Sequence, residues 1–275
     1  MRSNFAAINL FLLSMSNLFA VITGASQGLG KSFAKEFARQ RKNLILISLP
    51  DENLSGLCLN LEKEFGIKAI YYETDLSINS NVLKLAKWLN DHFEINFLIN
   101  NAGVGGTKKF DEVSSNYIEK IIQINVMATS MLTHQLLPNL KRQHQSYILN
   151  VSSLAAFSPI GYKTVYPASK AFVHSFSRGL YQELKNTNVF VSVVNPGPMK
   201  TNDEVKKRIK EQGFFAEKTS LNPDKVARYC IRQIQKRDTV IMVNHMSWLF
   251  LKIMPIWIKL PMLTNKIKKE LEIKL

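Results

Sequence analysis

Tyr166 and Lys170 stand four positions apart in the run Tyr-Pro-Ala-Ser-Lys, where a strand-like apolar pattern gives way to a helical one. Side chains four apart on a helix share a face. An ammonium there lies about one turn from a phenol of ordinary pKa about 10; by stabilising the phenolate it makes the hydroxyl a usable acid or base near neutral pH. Taken alone, the pair is equally well explained as two solvated groups on a helix. Ser153 precedes Tyr166 by thirteen positions, enough chain for a loop to return and set both hydroxyls on one carbonyl oxygen. Asn125 lies in Ile-Asn-Val within a long helical stretch, Asp111 to about Leu140. A mid-helix Asn is a polar group bonded locally or one that marks a bend.

The elements that must position these groups follow from periodicity. Leu18 to Ile22 has the pattern of a buried strand. Thr23-Gly-Ala-Ser-Gln-Gly-Leu-Gly30 comes next, then a helical pattern with Phe33, Ala34, Phe37 and Ala38 apolar. Strand, glycine-rich turn and helix in that order make a phosphate cradle, because glycines admit close backbone approach and the helix N-terminus faces the anion. Strands are also expected at Leu44–Ser48, Lys68–Tyr72, Phe97–Ile99, Tyr147–Val151 and Thr239–Val243, with helices at Leu54–Phe65, Val82–Phe93 and after Asn222-Pro223. Short βα units of this period imply a parallel doubly wound sheet. No linker, repeat or low-complexity tract interrupts them, so one domain is expected. Small residues Asn101, Ala102 and Gly103 at the end of the fourth strand leave room for a ligand across the sheet edge, or simply make a tight turn.

At the end of the second strand a carboxylate would hold a ribose 2′-hydroxyl, and a nearby Arg would accept a 2′-phosphate. Ser48-Leu-Pro-Asp51 supplies neither at the expected places. Ser48 leaves room for a phosphate, and Arg39, Arg41 and Lys42 occupy the preceding turn, so NADP(H) is favoured over NAD(H).

Of 275 residues, 46% are apolar and 21% charged, the balance of a globular protein with a substantial core. Cys58 and Cys230 are far apart and form no CxxC pair, which disfavours a disulfide framework or a zinc site. His134, His144 and His174 have no ligand spacing, so no metal is expected. From Lys200 onward there are 17 Lys and Arg against 8 Asp and Glu, so nine of the fifteen net positive charges fall in the last 76 residues. An anionic partner, a membrane surface or an acidic substrate, would suit that end; so would a solvated basic surface. Nucleic-acid binding lacks an aromatic-basic surface motif.

Residues 1–16 form an apolar extension, read as membrane-touching or as a start upstream of the fold in preference to an export signal. Asn202 to Ser220 has the basic and aromatic composition of a mobile lid or of a surface helix and turn. Beyond Asn244 the chain carries Trp248, Trp257 and many aliphatic residues, broken by Lys252, Pro255, Lys259 and Pro261. That pattern argues against a spanning helix. It suits an interfacial element, the wall of a long apolar pocket, or a helix completing the core or a subunit interface.

From Leu18 to Thr201 the chain resembles the short-chain dehydrogenase/reductase family. The resemblance is carried by TGASQGLG, Asp75-Leu76, NNAG, Asn125, NVSS, YPASK and Asn195-Pro-Gly-Pro-Met-Lys-Thr201, in the family's order and spacing. It implies a Rossmann-type doubly wound parallel sheet of about seven strands over residues 17–244, with 245–275 a C-terminal apolar helical extension of the same domain. Tyr166 would be the proton donor in reduction or the base in oxidation. Lys170 would lower its pKa and hold the nicotinamide ribose, Ser153 would bond the substrate carbonyl, and Asn125 would support a water in a proton relay. Gly24, Ser26, Gln27, Gly28, Leu29 and Gly30 would surround the pyrophosphate and ribose, with Ser48 beside them. Asp75 and Leu76 would contact adenine, Asn101, Ala102 and Gly103 would line its far side, and Pro196, Gly197 and Thr201 would border the nicotinamide.

The expected activity is NADPH-dependent reduction of a lipid-like ketone, a 3-oxoacyl chain or a steroid. The alternatives are an NAD-dependent alcohol dehydrogenase and a non-catalytic, membrane-associated cofactor-binding protein. A homodimer or homotetramer in the cytoplasm, with peripheral membrane contact, completes the expectation.

Overall fold

The runs Leu44-Ile-Leu-Ile47 and Val189-Phe-Val-Ser-Val-Val194 are buried along their whole length. Strands covered on both faces need no polar alternation. In this computed structural model, which describes residues 17–201, 205 and 220–272, they belong to one parallel sheet. Its strands are β1 (Leu18–Thr23), β2 (Asn43–Ser48), β3 (Ala69–Glu73), β4 (Glu94–Asn100), β5 (Ser146–Val151), β6 (Val189–Val194) and β7 (Val240–Ile241), in the order β3-β2-β1-β4-β5-β6-β7. The extension expected over 1–16 and nearly all of the segment from Asn202 to Ser220 lie outside the described residues.

Alternate residues of β1 feed two separate cores. Ala20 and Ile22 join α1 (Gly28–Arg39), α2 (Leu54–Phe65) and α7 (Pro223–Gln235) through Phe33, Phe37, Leu61 and Ile231. Phe19 and Val21 join the opposite layer, where α3 (Asn79–His92) and α5 (Thr129–Arg142) contribute Leu85, Leu89, Leu132 and Leu136. The side-chain period of two therefore builds a three-layer domain from one central strand.

The order reverses at β1, which pairs with β2 on one side and β4 on the other. In open parallel sheets a ligand crevice opens beyond the carboxyl ends of the strands at such a reversal. Thr23 and Asn100 end the two strands there.

The long helical stretch expected from Asp111 is four pieces. A 3₁₀ turn covers Phe110–Glu112, α4 spans Ser115–Ile122, and a π-helical segment, Gln123–Ala128, joins α4 to α5. Asn125 lies in that segment, so the bend is a widened turn. The last strand is also shorter than expected, because only Val240 and Ile241 pair with β6.

After Asn244, whose side chain accepts from the Ser247 amide, come α8 (His245–Ile253) and α9 (Ile256–Glu272), separated at Met254-Pro255. No helix among the described residues is long and apolar enough to cross a membrane.

Candidate active site

Thr23 organises the crevice. Its hydroxyl donates to the Ile99 carbonyl and accepts from the amides of Asn101 and Ala102, each at 3.0 Å. The Asn101 side chain returns the contact, donating to the carbonyls of Thr23 (2.9 Å) and Gly24 (3.1 Å). The glycine-rich turn is thus tied to the end of β4. Gly24 and Gly28 have φ of +63° and +54°, and a methyl group on Gly30 would lie 2.0 Å from the Gly24 carbonyl oxygen. Only glycine permits that closure. Gln27 gives α1 no side-chain cap, and its first turn holds no acid; at α7 the Asn222 side chain accepts from Asp224 and Lys225. The α1 N-terminus therefore presents amide donors with no side-chain acceptor, a fitting site for a pyrophosphate.

Beyond the end of β2 a carboxylate does reach the glycine-rich turn, that of Glu52. Asp51 and Asn53 both take left-handed backbone conformations (φ 63° and 52°), which fold the chain back so that the Ser26 hydroxyl donates to Glu52. Ser26 and Glu52 share an open basin of about 640 Å³ with Lys31, Lys35, Lys63 and Glu64. Ser48 is buried and its hydroxyl donates to the Leu49 carbonyl. Arg39, Arg41 and Lys42 precede β2, about 20 Å of strand away from its carboxyl end. Arg39 pairs with Glu36 and Arg41 donates to the Phe65 carbonyl. They therefore give no support to a phosphate at Ser48.

Tyr166 and Lys170 lie in the first turns of α6 (Val165–Leu184), below a 3₁₀ turn at Leu154–Phe157 that Ser153 caps by accepting from the Ala155 amide at 3.1 Å. Burial raises the Tyr166 pKa, and a hydrogen bond with Ser153 partly offsets the rise. Lys170 is buried, its Nζ donating to the Val151 carbonyl at 2.9 Å, and desolvation lowers its pKa to about 8. Its Nζ stands 5.9 Å from the Tyr166 ring centroid. At Tyr166 desolvation outweighs stabilisation of the phenolate, so the phenol stays protonated, the form a proton donor needs.

Asn125 is buried, and its side chain bridges the loop after β4 and the first turns of α6. Oδ1 accepts from the Val104 amide, while Nδ2 donates to the Val104 carbonyl and to Ser169 Oγ, all at 2.9 Å. The Ser169 hydroxyl in turn donates to the Tyr166 carbonyl at 2.7 Å. Asn125 therefore fixes the backbone that carries Tyr166. Gly103 sits between Asn125 and Lys170: a methyl there would lie 3.1 Å from Lys170 Nζ and 3.2 Å from Asn125 Oδ1.

Of the remaining expected contacts, Pro196 accepts from the Leu154 amide, and Gly197 packs near Leu154. Thr201 lies over Gly28, close enough that a methyl on the glycine would stand 2.9 Å from its Cβ. The loop after β6 thus crosses the crevice. Asp75 accepts from the Ser77 amide, while Leu76 is buried in the α3/α5 core layer. Leu29 is likewise buried, in the other layer. Gln27 is exposed at the turn's outer edge. No group of three or more His, Cys, Asp or Glu that could hold a metal occurs among the described residues.

Sequence reasoning missed Thr23, Glu52 and the lysines of the basin. Thr23 had a signal, a hydroxyl directly before the glycine turn. Glu52 had none, since it reaches Ser26 through two non-glycine residues in left-handed conformations.

The pattern of the short chain dehydrogenase family matches residues 18–212. Very-long-chain 3-oxoacyl-CoA reductase of Rattus norvegicus is 34% identical over 182 residues, 65% of this chain and 58% of that protein; the match spans little more than half the relative's length. Ketoacyl reductase HetN of Nostoc sp. is 31% identical over 85% of this chain and 80% of its own. A short-chain dehydrogenase from Sphingobium yanoikuyae in complex with NADPH superposes with a TM-score of 0.75 at 26% identity, covering 82% of this chain and 88% of that one. With seven parallel strands, the glycine-rich turn at the crossover and a family pattern spanning most of its length, the chain belongs to the short-chain dehydrogenase family.

Proposed function

We propose that the chain is a nicotinamide-dependent reductase of a ketone, with Ser153, Tyr166 and Lys170 as its catalytic residues. The observation that carries the reading is a Tyr166 hydroxyl hydrogen-bonded to Ser153, with a buried Lys170 at the end of β5 and Gly103, just past the end of β4, against it. Gly24, Ser26, Gln27, Gly28, Leu29 and Gly30 would hold the dinucleotide, with Asn101 to Gly103 and Pro196 to Thr201 on either side. The nicotinamide supplies the hydride when bound.

The chain's own part is orientation and proton transfer. The hydroxyls of Ser153 and Tyr166 donate to the substrate oxygen, and Tyr166 delivers its proton as negative charge develops there. Burial keeps Tyr166 protonated beforehand. Lys170, with a pKa near 8, is about nine-tenths charged at neutral pH and replenishes positive potential under the phenol. Asn125 and Ser169 hold the α6 backbone in place during the transfer.

The substrate reading is a lipid-like ketone, a 3-oxoacyl chain or a steroid. The names of the rat and Nostoc relatives support it, as does α8 packing on the Leu154–Phe157 turn beside Ser153. NADP(H) is the preferred cofactor: three lysines face two glutamates across the basin beside Ser26. Glu52 favours a second reading, NAD-dependent alcohol oxidation, because a carboxylate at Ser26 suits a ribose 2′-hydroxyl.

Replacing Tyr166→Phe tests the chemistry. Ketone-dependent oxidation of NADPH falls at least about 100-fold while cofactor binding persists. Unchanged turnover would remove Tyr166 from the mechanism and leave the non-catalytic alternative standing.

A further inference from the structure

Among the described residues, the apolar face of α8 and its continuation into α9 has no partner. Met246, Leu249, Phe250 and Ile253 fall at helical spacing on one stripe of α8, and Ile256 and Trp257 extend it past the break. All six are exposed, Met246, Ile253 and Trp257 by 77, 71 and 73%. Single exposed apolar residues are ordinary, but a continuous stripe of this size marks an interaction surface.

Charge identifies the occupant. From Thr239 through Lys269 the sequence contains no Asp or Glu, yet it holds Lys252, Lys259, Lys266, Lys268 and Lys269. Lys252 lies over the Trp248 ring, 4.9 Å from its centroid, and Lys266, Lys268 and Lys269 are exposed beyond the stripe. A two-fold pairing of this face with a second copy would set the same patches together. Lys252 and its neighbours would meet their own copies, with no carboxylate before Glu270 and Glu272 at the far end of α9 to compensate. An anionic bilayer surface has the opposite property, accepting apolar side chains at acyl depth and lysines at the headgroups. Tryptophan favours that boundary.

We infer that α8 and the start of α9 dock in the interfacial plane of an anionic phospholipid bilayer. The docking face is tied to the site by hydrogen bonds. Lys259, buried, donates to the carbonyls of Phe157 (3.0 Å) and Leu251 (2.6 Å), and the Thr264 hydroxyl accepts from the Gly161 amide at 3.0 Å. The turn after Ser153 is therefore bonded directly to the docking helices, so docking would set the substrate side of the crevice against the bilayer. The docking is independent of the chemistry proposed above, and its test reads binding rather than turnover.

The full chain is floated with vesicles of phosphatidylcholine, with and without about one-third phosphatidylserine. It rises with the anionic vesicles only, is released severalfold by raised salt, and shows a blue shift of tryptophan emission. Ile253→Ser combined with Trp257→Ser, at two solvent-facing positions, lowers vesicle partition about tenfold or more and leaves the thermal unfolding midpoint in place. Three results would overturn the inference: no binding to anionic vesicles, binding that the double substitution does not weaken, or a vesicle-free oligomer that the same substitution dissociates. The last would assign the face to a second copy.

Discussion

Lys170 gives this fold a pH-dependent stability whose size can be worked out. Its pKa falls from 10.5 to about 8 on burial. A depression of about 2.5 units at 1.36 kcal/mol each makes the charged lysine cost about 3 kcal/mol in the folded state. Below pH 8 both folded and unfolded chains carry the proton, and the whole cost is present. Between about 8 and 10.5 the unfolded chain binds more protons than the folded one, so stability rises with pH. Cys58, Cys230 and Tyr166 act in the opposite direction, because burial raises their pKa values and the unfolded chain ionises first. A comparison with Lys170→Met separates the contributions. The variant also loses the bond to the Val151 carbonyl, a loss that does not depend on pH and drops out of the slope. Urea unfolding of both proteins from about pH 7 to about 9.5 is expected to show the wild type gaining about 2 kcal/mol on the variant. A difference that stays flat over this range would mean that Lys170 is not desolvated as described, and the argument for its tuned charge would fail.

Gly105→Ala places a methyl 2.8 Å from Tyr166 Cδ2, so the phenol ring has to tilt; steady-state kinetics should show kcat reduced about tenfold or more, with cofactor affinity retained. Removing the charge at Ser26 with Glu52→Gln should raise the ratio of kcat/KM for NADPH over NADH severalfold, since a 2′-phosphate no longer meets a carboxylate. Both cysteines are buried, with the Cys58 thiol pushed up to about 12 and that of Cys230 raised further. A thiol-specific disulfide reagent should therefore leave the native protein unlabelled at neutral pH and titrate two thiols after denaturation.

Six of the seven strands were legible as apolar runs, because parallel strands covered on both faces need no polar alternation; β6, Val189–Val194, was not among the expected strands although it is buried throughout. Leu44-Ile-Leu-Ile47 and Ile148-Leu149 are apolar runs with no other plausible use. The glycine turn was legible because its steric demand falls on residue type: nothing larger than glycine fits at Gly30. Distances that depend on tertiary return were not. The basic residues before β2 have the composition of a phosphate site, yet strand polarity puts them at the wrong end. Glu52 reaches Ser26 only because Asp51 and Asn53 adopt left-handed conformations that their types merely tolerate. The electrostatic reading of Tyr166 and Lys170 also shifted. Spacing alone suggested a cation lowering a phenol pKa, whereas burial dominates at both groups and leaves the phenol protonated. Lys259 looked like a breaker of an apolar run and is instead buried, satisfied by two carbonyl oxygens.

The π-helical segment at Gln123–Ala128 makes this site sensitive to chain length rather than to side-chain identity. A π turn takes one more residue than an α turn, so the segment absorbs one extra residue while α4 and α5 keep the faces they present to the core. Deleting one residue there would let the two join as one regular helix with Leu132 and Leu136 still in the core. Asn125 would lose the widened turn that presents it to Val104 and Ser169. A single-residue deletion scan through α4 and α5 would thus separate scaffold from site: outside the segment, deletions unfold the layer, while within it they heal the helix and silence the enzyme.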